Sequence, residues 1–235
     1  MNILAVGSIV LVLVRLSLKR AHVQDSKGDT VQMTLQRSPF DLISLSFRFG
    51  MFWEGGMQPI FDTLLAQNDG IVLDIGANIG AHSVYLGKYR TVWAFEPQRE
   101  TFNILQTNVS NNGVAVECFN LGLSNTKGTV EMNRPSIFNN GGTSIGKGGE
   151  TIHLRRLDSV WAKHGRPAIA FVKIDVEGHE VEVFEGGVEC LHGVPILFED
   201  HDGKATRYLR TLGYAVEKNR FPFSHNDFIA RPRTV

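Results

Sequence analysis

Short apolar runs alternate with helix-length stretches along most of the chain. Ile71–Leu73 reads as a buried strand, Ala81–Lys88 as a helix, Val92–Phe95 as the next strand and Glu100–Val109 as the next helix. Val114–Phe119, Ile169–Ile174 and Pro195–Phe198 continue the strands, with Val181–Glu185 and Ala205–Leu212 as the later helices. Ahead of them all, Pro59 opens a helix through Leu65, since proline is tolerated in a first helical turn. Strands that are apolar throughout, separated by helices, predict a parallel sheet covered on both faces. Tyr214–Glu217 and Asp227–Ala230 follow one another closely and suit an antiparallel pair at the edge. The fold class predicted is α/β.

The ends pattern differently. Ile3–Val14 is apolar apart from Gly7 and Ser8, and is followed by Arg15, Leu16–Leu18 and the pair Lys19–Arg20. A membrane-spanning helix wants about twenty apolar residues, and a secretory signal carries its positive charge before the apolar run. Residues 3–18 therefore suit either a short membrane anchor or an apolar element packed on the domain. As an anchor they would leave Arg15, Lys19, Arg20 and the domain on the cytoplasmic side. Residues 21–40 are polar without a clear period and read as a linker. With the aromatic stretch that follows, they make residues 21–49 a linker and N-terminal extension ahead of a domain at 50–235. Phe52, Trp53 and Glu54 either wall a pocket or enter the core. Asn139–Gly149, rich in Gly, Asn and Ser, reads as a loop that could cover a site.

The chain has 235 residues, 43% hydrophobic, with 24 Lys+Arg against 24 Asp+Glu. That is enough for one globular domain. A net charge of zero lacks the basic surplus of a sequence-independent duplex binder. Two cysteines, Cys118 and Cys190, are too few for a zinc site or a disulfide scaffold. The partner expected is a small molecule or glycan, not a nucleic acid.

Open α/β sheets bind ligands at the carboxyl ends of their strands, where strand order reverses. The first such tip is Asp74-Ile75-Gly76-Ala77-Asn78-Ile79-Gly80. Asp74 stands where a nicotinamide-binding loop has its first glycine, and Asn78 replaces the glycine that admits a pyrophosphate. A carboxylate repels a pyrophosphate but attracts an ammonium or sulfonium. Glu96, 22 residues after Asp74, ends the next strand at the spacing where an acid accepts ribose hydroxyls. Singly, Asp74 is as well read as a helix cap and Glu96 as a solvated strand end. Together they favour S-adenosylmethionine.

The Asp74–Gly80 loop, Ala94-Phe95-Glu96-Pro97, Gly122-Leu123-Ser124 and Phe171-Val172-Lys173-Ile174-Asp175-Val176-Glu177-Gly178-His179-Glu180 resemble the FkbM family of methyltransferases. Gly141–Ile145, Leu157-Asp158-Ser159 and Asp227–Ala230 fall in the expected order. The resemblance spans about residues 50–232. It implies a class I, Rossmann-like methyltransferase fold: a mostly parallel seven-stranded sheet with helices on both faces and an antiparallel last strand. It also implies S-adenosylmethionine as donor and a hydroxyl, often of a sugar or polyketide, as acceptor. Donor contacts then fall to Asp74, Gly76, Ala77, Asn78, Gly80, Glu96, Pro97, Gly122, Leu123 and Asp175.

A hydroxyl is a poor nucleophile unless its proton leaves as the new bond forms. Period-two alternation puts Lys173, Asp175 and Glu177 on one side if the backbone stays extended. Lys173, Asp175, Glu177 and His201 are the catalytic candidates, with His179 a further candidate base. Glu199-Asp200-His201-Asp202 with Asp175 could build an oxygen-rich divalent metal site; equally, His201 could be a base with no metal. The metal is left unassigned. Two other readings stand beside the O-methyltransferase: a nucleotide-sugar or NAD-linked enzyme on the same kind of sheet, and a membrane-tethered binding module without turnover.

Overall fold

The computed structural model describes residues 14–39, 41–133, 146, 148–219 and 226–233. Most of the apolar start and of the Asn139–Gly149 excursion, including Gly141–Ile145, lies outside these residues.

Seven strands form the central sheet: β3 (Ile71–Ile75), β4 (Val92–Phe95), β5 (Val116–Phe119), β9 (Ile169–Ile174), β10 (Ile196–Glu199), β11 (Tyr214–Lys218) and β12 (Asp227–Pro232). Their order is β11-β12-β10-β9-β3-β4-β5. From β5 to β10 every pairing is parallel, while β12 inserts antiparallel between β10 and β11. Strand order reverses between β3 and β9, so the tips of these neighbours open the crevice where such sheets bind ligands.

Both sheet faces are apolar because both are covered. Leu73, Ile75, Val172 and Ile174 pack in one core with Leu157 and Val160 of α5 (Leu157–Lys163) and Val183 and Phe184 of α6 (Glu180–Gly186). Ala205 and Leu209 of α7 (Lys204–Thr211) join the same core. Val72 and Phe171 face the other way, onto Phe61, Leu64 and Leu65 of α2 (Gln58–Gln67) and Tyr85 and Leu86 of α3 (Ala81–Leu86). On the β4 side, Phe102 and Leu105 of α4 (Arg99–Asn112) bury Ala77 and Ala94.

The segment expected to be a linker is folded. Arg20–Gln24 (β1) and Thr30–Thr34 (β2) form an antiparallel hairpin, followed by α1 (Leu42–Arg48). The hairpin buries Ala21, Val23, Val31 and Met33 against Phe47, Ile79 and Val84. Asn108 on α4 clamps it: its Oδ1 accepts the Thr34 N–H at 2.6 Å, and its Nδ2 donates to the carbonyls of Thr34 (3.1 Å) and Ile79 (2.8 Å). A small second sheet, β6 (Gly122–Leu123), β7 (Gly128–Asn133) and β8 (Gly148–Arg155), stands beside the crevice in the order β6-β8-β7. Among the described residues, no helix is long and apolar enough to cross a membrane.

Candidate active site

A cleft opens over the tips of β3, β4, β9 and β10. At one end it is walled by Glu96, Pro97, Gln98, Leu121, Gly122 and Leu123, with Met132, Ile152 and Leu154 from the small sheet. At the other stand Trp53, Glu54, His82, Lys173, Asp175, Glu177 and Glu199. Gly76, Ala77 and Asn78 run between the two ends.

The floor is shaped by backbone constraint. Gly76 has φ +79, and a β-carbon there would sit 1.8 Å from the Asp175 carbonyl oxygen, so the tips of β3 and β9 touch only because this residue has no side chain. Asn78 also holds a left-handed backbone, φ 51, which asparagine tolerates; its Oδ1 accepts the following N–H of Ile79 at 2.8 Å.

Glu96 is nearly buried. Its Oε2 accepts the Asn78 N–H at 3.0 Å and its Oε1 the Gln98 N–H at 2.8 Å. These bonds fix the carboxyl plane and leave further lone pairs on both oxygens. Burial pushes its pKa up to about 7, against the pull of the two N–H bonds.

Lys173 organises the opposite end. Its Nζ donates to the Gly76 carbonyl at 3.2 Å and lies 3.4 Å from Asp175 Oδ2 and 3.5 Å from Asp74 Oδ1. Although burial disfavours the ammonium, Asp175 and Asp74 raise its pKa well above the usual lysine range. Around it the carboxyls crowd. Burial, then Asp175 and Glu177, push Glu199 up to about 8. Burial and Asp175 push Glu54 up to about 7 and also raise Glu177. This end therefore holds protons at neutral pH and can both accept and donate them.

Three of the candidate residues lie apart from the cleft lining. Asp74 does not line the cleft. It is fully buried, with Oδ2 accepting the Ser83 hydroxyl at 2.5 Å and Oδ1 facing Lys173, so it acts as an internal counter-charge at the start of α3. Gly80 lies behind the wall as well: at φ +86, a β-carbon there would meet Leu105 Cδ1 at 2.5 Å, so its role is the packing of α3 on α4. His201 stands outside the cleft wall, with a side chain 49% exposed, Nε2 3.2 Å from Glu199 Oε2 and Nδ1 2.8 Å from Asn226 Nδ2.

The alternation from Lys173 stops early, because β9 ends at Ile174 and Glu177 takes φ 53. Asp175 stays beside Lys173, whereas Glu177 reaches the cleft from a turn. His179 is engaged: its Nε2 lies 3.0 Å from Ser124 Oγ and its Nδ1 3.4 Å from Glu182 Oε2.

Of the acidic run after β10, Asp200 accepts the N–H groups of Gly203 and Thr206, and Asp202 pairs with Lys204. Glu199 and His201, with Glu177, are the described residues that could hold a metal ion, their ligand atoms lying within 4.8 Å of one another.

His82 went unremarked in the sequence because it follows the glycine loop inside an apolar helix. It is 5% exposed, its ring stands edge-on to Phe61 with centroids 5.1 Å apart, and its Nε2 has no hydrogen-bond partner. A buried orphan of this kind costs about 1–3 kcal/mol.

The family model described as the methyltransferase FkbM domain matches residues 74–216. The hexuronic acid methyltransferase AglP of Haloferax volcanii is 33% identical over 152 residues, covering 63% of this chain and 64% of that protein. Methyltransferase sdnD of Sordaria araneosa is 28% identical, covering 54% and 63%. The chain spans just under two thirds of these relatives. Among solved structures, the T. thermophilus 16S rRNA N2 G1207 methyltransferase RsmC, in complex with AdoMet and guanosine, superposes with a TM-score of 0.51 at 10% identity, covering 91% of this chain and 50% of that one. The Pyrococcus abyssi tRNA (uracil-54, C5)-methyltransferase, in complex with S-adenosyl-L-homocysteine, gives 0.50 at 13% identity, covering 91% and 44%. At these identities the likeness carries the fold alone: a class I methyltransferase sheet.

Proposed function

The chain belongs to the FkbM methyltransferase family, and on that footing we propose that it transfers a methyl group from S-adenosylmethionine to a hydroxyl of a carbohydrate, with a hexuronic acid or its glycoconjugate as the acceptor class. The observation that carries this reading is the two-ended cleft: a fixed, nearly buried Glu96 beside apolar walls at one end and the Lys173–Asp175 pair at the other.

The residues present fit the donor. Glu96 retains lone pairs for two ribose hydroxyls, and the apolar wall of Leu121, Met132, Ile152 and Leu154 suits an adenine face. The small residues Gly76 and Ala77 let the ligand approach the backbone, and the acidic end attracts positive charge. When bound, S-adenosylmethionine supplies an electrophilic methyl on positively charged sulfur.

The chain's own contribution is position and proton management. Asp175 orients the acceptor hydroxyl, Lys173 beside it offsets negative charge on the acceptor oxygen, and Glu177 lines the same side. The hexuronic acid assignment rests on the AglP likeness.

The test is calorimetric titration of the full chain with S-adenosylhomocysteine and, in parallel, with NAD, repeated on Glu96→Ala. Micromolar binding of the adenosine ligand alone, lost in the variant, supports the donor site. Binding of NAD instead overturns it. Transfer of labelled methyl to a glucuronide, located on a ring hydroxyl by mass spectrometry, then tests the acceptor class.

A further inference from the structure

Glu54 and His82 meet at the acceptor end of the cleft without completing a bond. His82 Nε2 and Glu54 Oε2 are 3.6 Å apart, beyond hydrogen-bond distance, and that nitrogen has no other partner. The imidazole cannot turn away: Phe61 stands edge-on to it, and its position on α3 is set by the glycine loop. Glu54 is held by its backbone. It adopts φ 46 and ψ 37, a left-handed conformation that is strained for a residue with a side chain and recurs where a group is held in place for function. Its side chain is 42% exposed, and it lines the cleft.

We propose that Glu54 is a catalytic residue, the group that takes the proton from the acceptor hydroxyl, and that His82 is its positioning residue. The inference rests on the methyltransferase reading given above. In the step, the acceptor oxygen forms its bond to the methyl carbon as the carbon–sulfur bond breaks, with that electron pair passing to sulfur. The hydroxyl proton passes to the Glu54 carboxylate.

The surroundings suit the task. Glu54 is faced by Asp175 and Lys173 from β9, Asp227 from β12 and His82 from α3. Desolvation and Asp175 outweigh Lys173 and bring its pKa to about 7, where a base is both ionised and strong enough to take a proton. His82 is pushed down to about 3 by burial and Lys173, so it is neutral; its other nitrogen bonds the Trp53 backbone, and Nε2 presents a lone pair to Glu54 rather than a charge. The alternative bases are less free. His179 is engaged by Ser124 and Glu182, and His201 lies outside the cleft wall.

Two measurements on the full chain test this. With labelled S-adenosylmethionine and methyl glucuronide as the probe acceptor, Glu54→Gln lowers kcat by about 10²- to 10⁴-fold, with Glu54→Asp recovering part. The rise of kcat/KM through about pH 7 disappears in Glu54→Gln, and in His82→Gln it moves while KM changes little. Independently of any acceptor, an ionised Glu54 near the sulfonium makes wild type prefer S-adenosylmethionine over neutral S-adenosylhomocysteine increasingly as pH rises from 6 to 8. Calorimetry shows that preference, and Glu54→Gln removes it without weakening S-adenosylhomocysteine. An unchanged pH profile, or an unchanged preference in Glu54→Gln, overturns the assignment to Glu54. Failure of wild type to bind either ligand instead overturns the methyltransferase reading on which it stands.

Discussion

The ammonium of Lys173 lies 3.5 Å from Oδ1 of Asp74, an oxygen that accepts no hydrogen bond and has no exposure to water. Each charge is the other's reason for being tolerated there. Lys173→Met strands Asp74 and is expected to destabilise the fold by about 3–5 kcal/mol. Asp74→Asn in the same chain recovers part of that loss, because no unpaired charge then remains. Urea unfolding of the two single variants and the double variant checks the coupling.

Gly76 and Gly178 both hold positive φ, at +79 and +93, yet only Gly76 has a neighbour in the way. Gly76→Ala forces apart the tips of β3 and β9, and a loss beyond about 4 kcal/mol is expected. Gly178→Ala meets nothing within 4 Å and carries only the backbone penalty of about 1–2 kcal/mol. Denaturant midpoints of the two variants measure the difference.

The raised pKa of Glu96 makes stability depend on pH in a direction opposite to that of a salt-bridged carboxylate. Its folded value, about 7, exceeds the free value of 4.5, so the folded state holds the proton more tightly. The stabilisation is fully present below about pH 4.5 and is lost as pH rises through 7. Glu54 and Glu199 contribute with the same sign. The Tm of the unliganded protein should fall between pH 5 and 8, and Glu96→Gln should fall less steeply in the same buffers.

Asn108 bridges the hairpin to the glycine loop through three hydrogen bonds while itself fully buried. Asn108→Ala should cost about 1–3 kcal/mol for the groups left unpaired. Amide hydrogen exchange should quicken at Thr34 and its neighbours in the hairpin, with β9 protected as in wild type.

His201→Ala should lower kcat by less than about tenfold, against the 10²- to 10⁴-fold expected on removal of a base. The ring is half exposed and stands beside the cleft-lining carboxyls Glu199 and Glu177 rather than in the lining itself. Steady-state rates at saturating donor decide it.

The sheet was legible because strands buried on both faces read as unbroken apolar runs, and Val72, Leu73, Phe171 and Val172 do serve both faces. The tips of β3 and β9 were legible from glycines and charges at fixed positions. The pairing of Asp74 was not legible, because a carboxylate at a strand end looks the same whether it faces a ligand or a lysine 99 residues later. The hairpin was missed because each five-residue strand carries only two buried apolar residues, Ala21 and Val23, then Val31 and Met33, a faint alternation in polar surroundings. A turn at Lys27–Gly28 between them was the available signal. His82 had no signal at all, since its importance comes from Glu54, which lies on a different element.

The cleft draws its walls from two stretches of chain with different standing. Glu96, Gly122 and Lys173 lie within the region matched by the family model, whereas Trp53 and Glu54 come from upstream of it. The Glu96 end of the cleft thus lies within the matched region, and part of the other end lies ahead of it. Exchanging Trp53 and Glu54 would therefore reshape the acceptor end while leaving in place the Asn78 and Gln98 N–H bonds that hold Glu96.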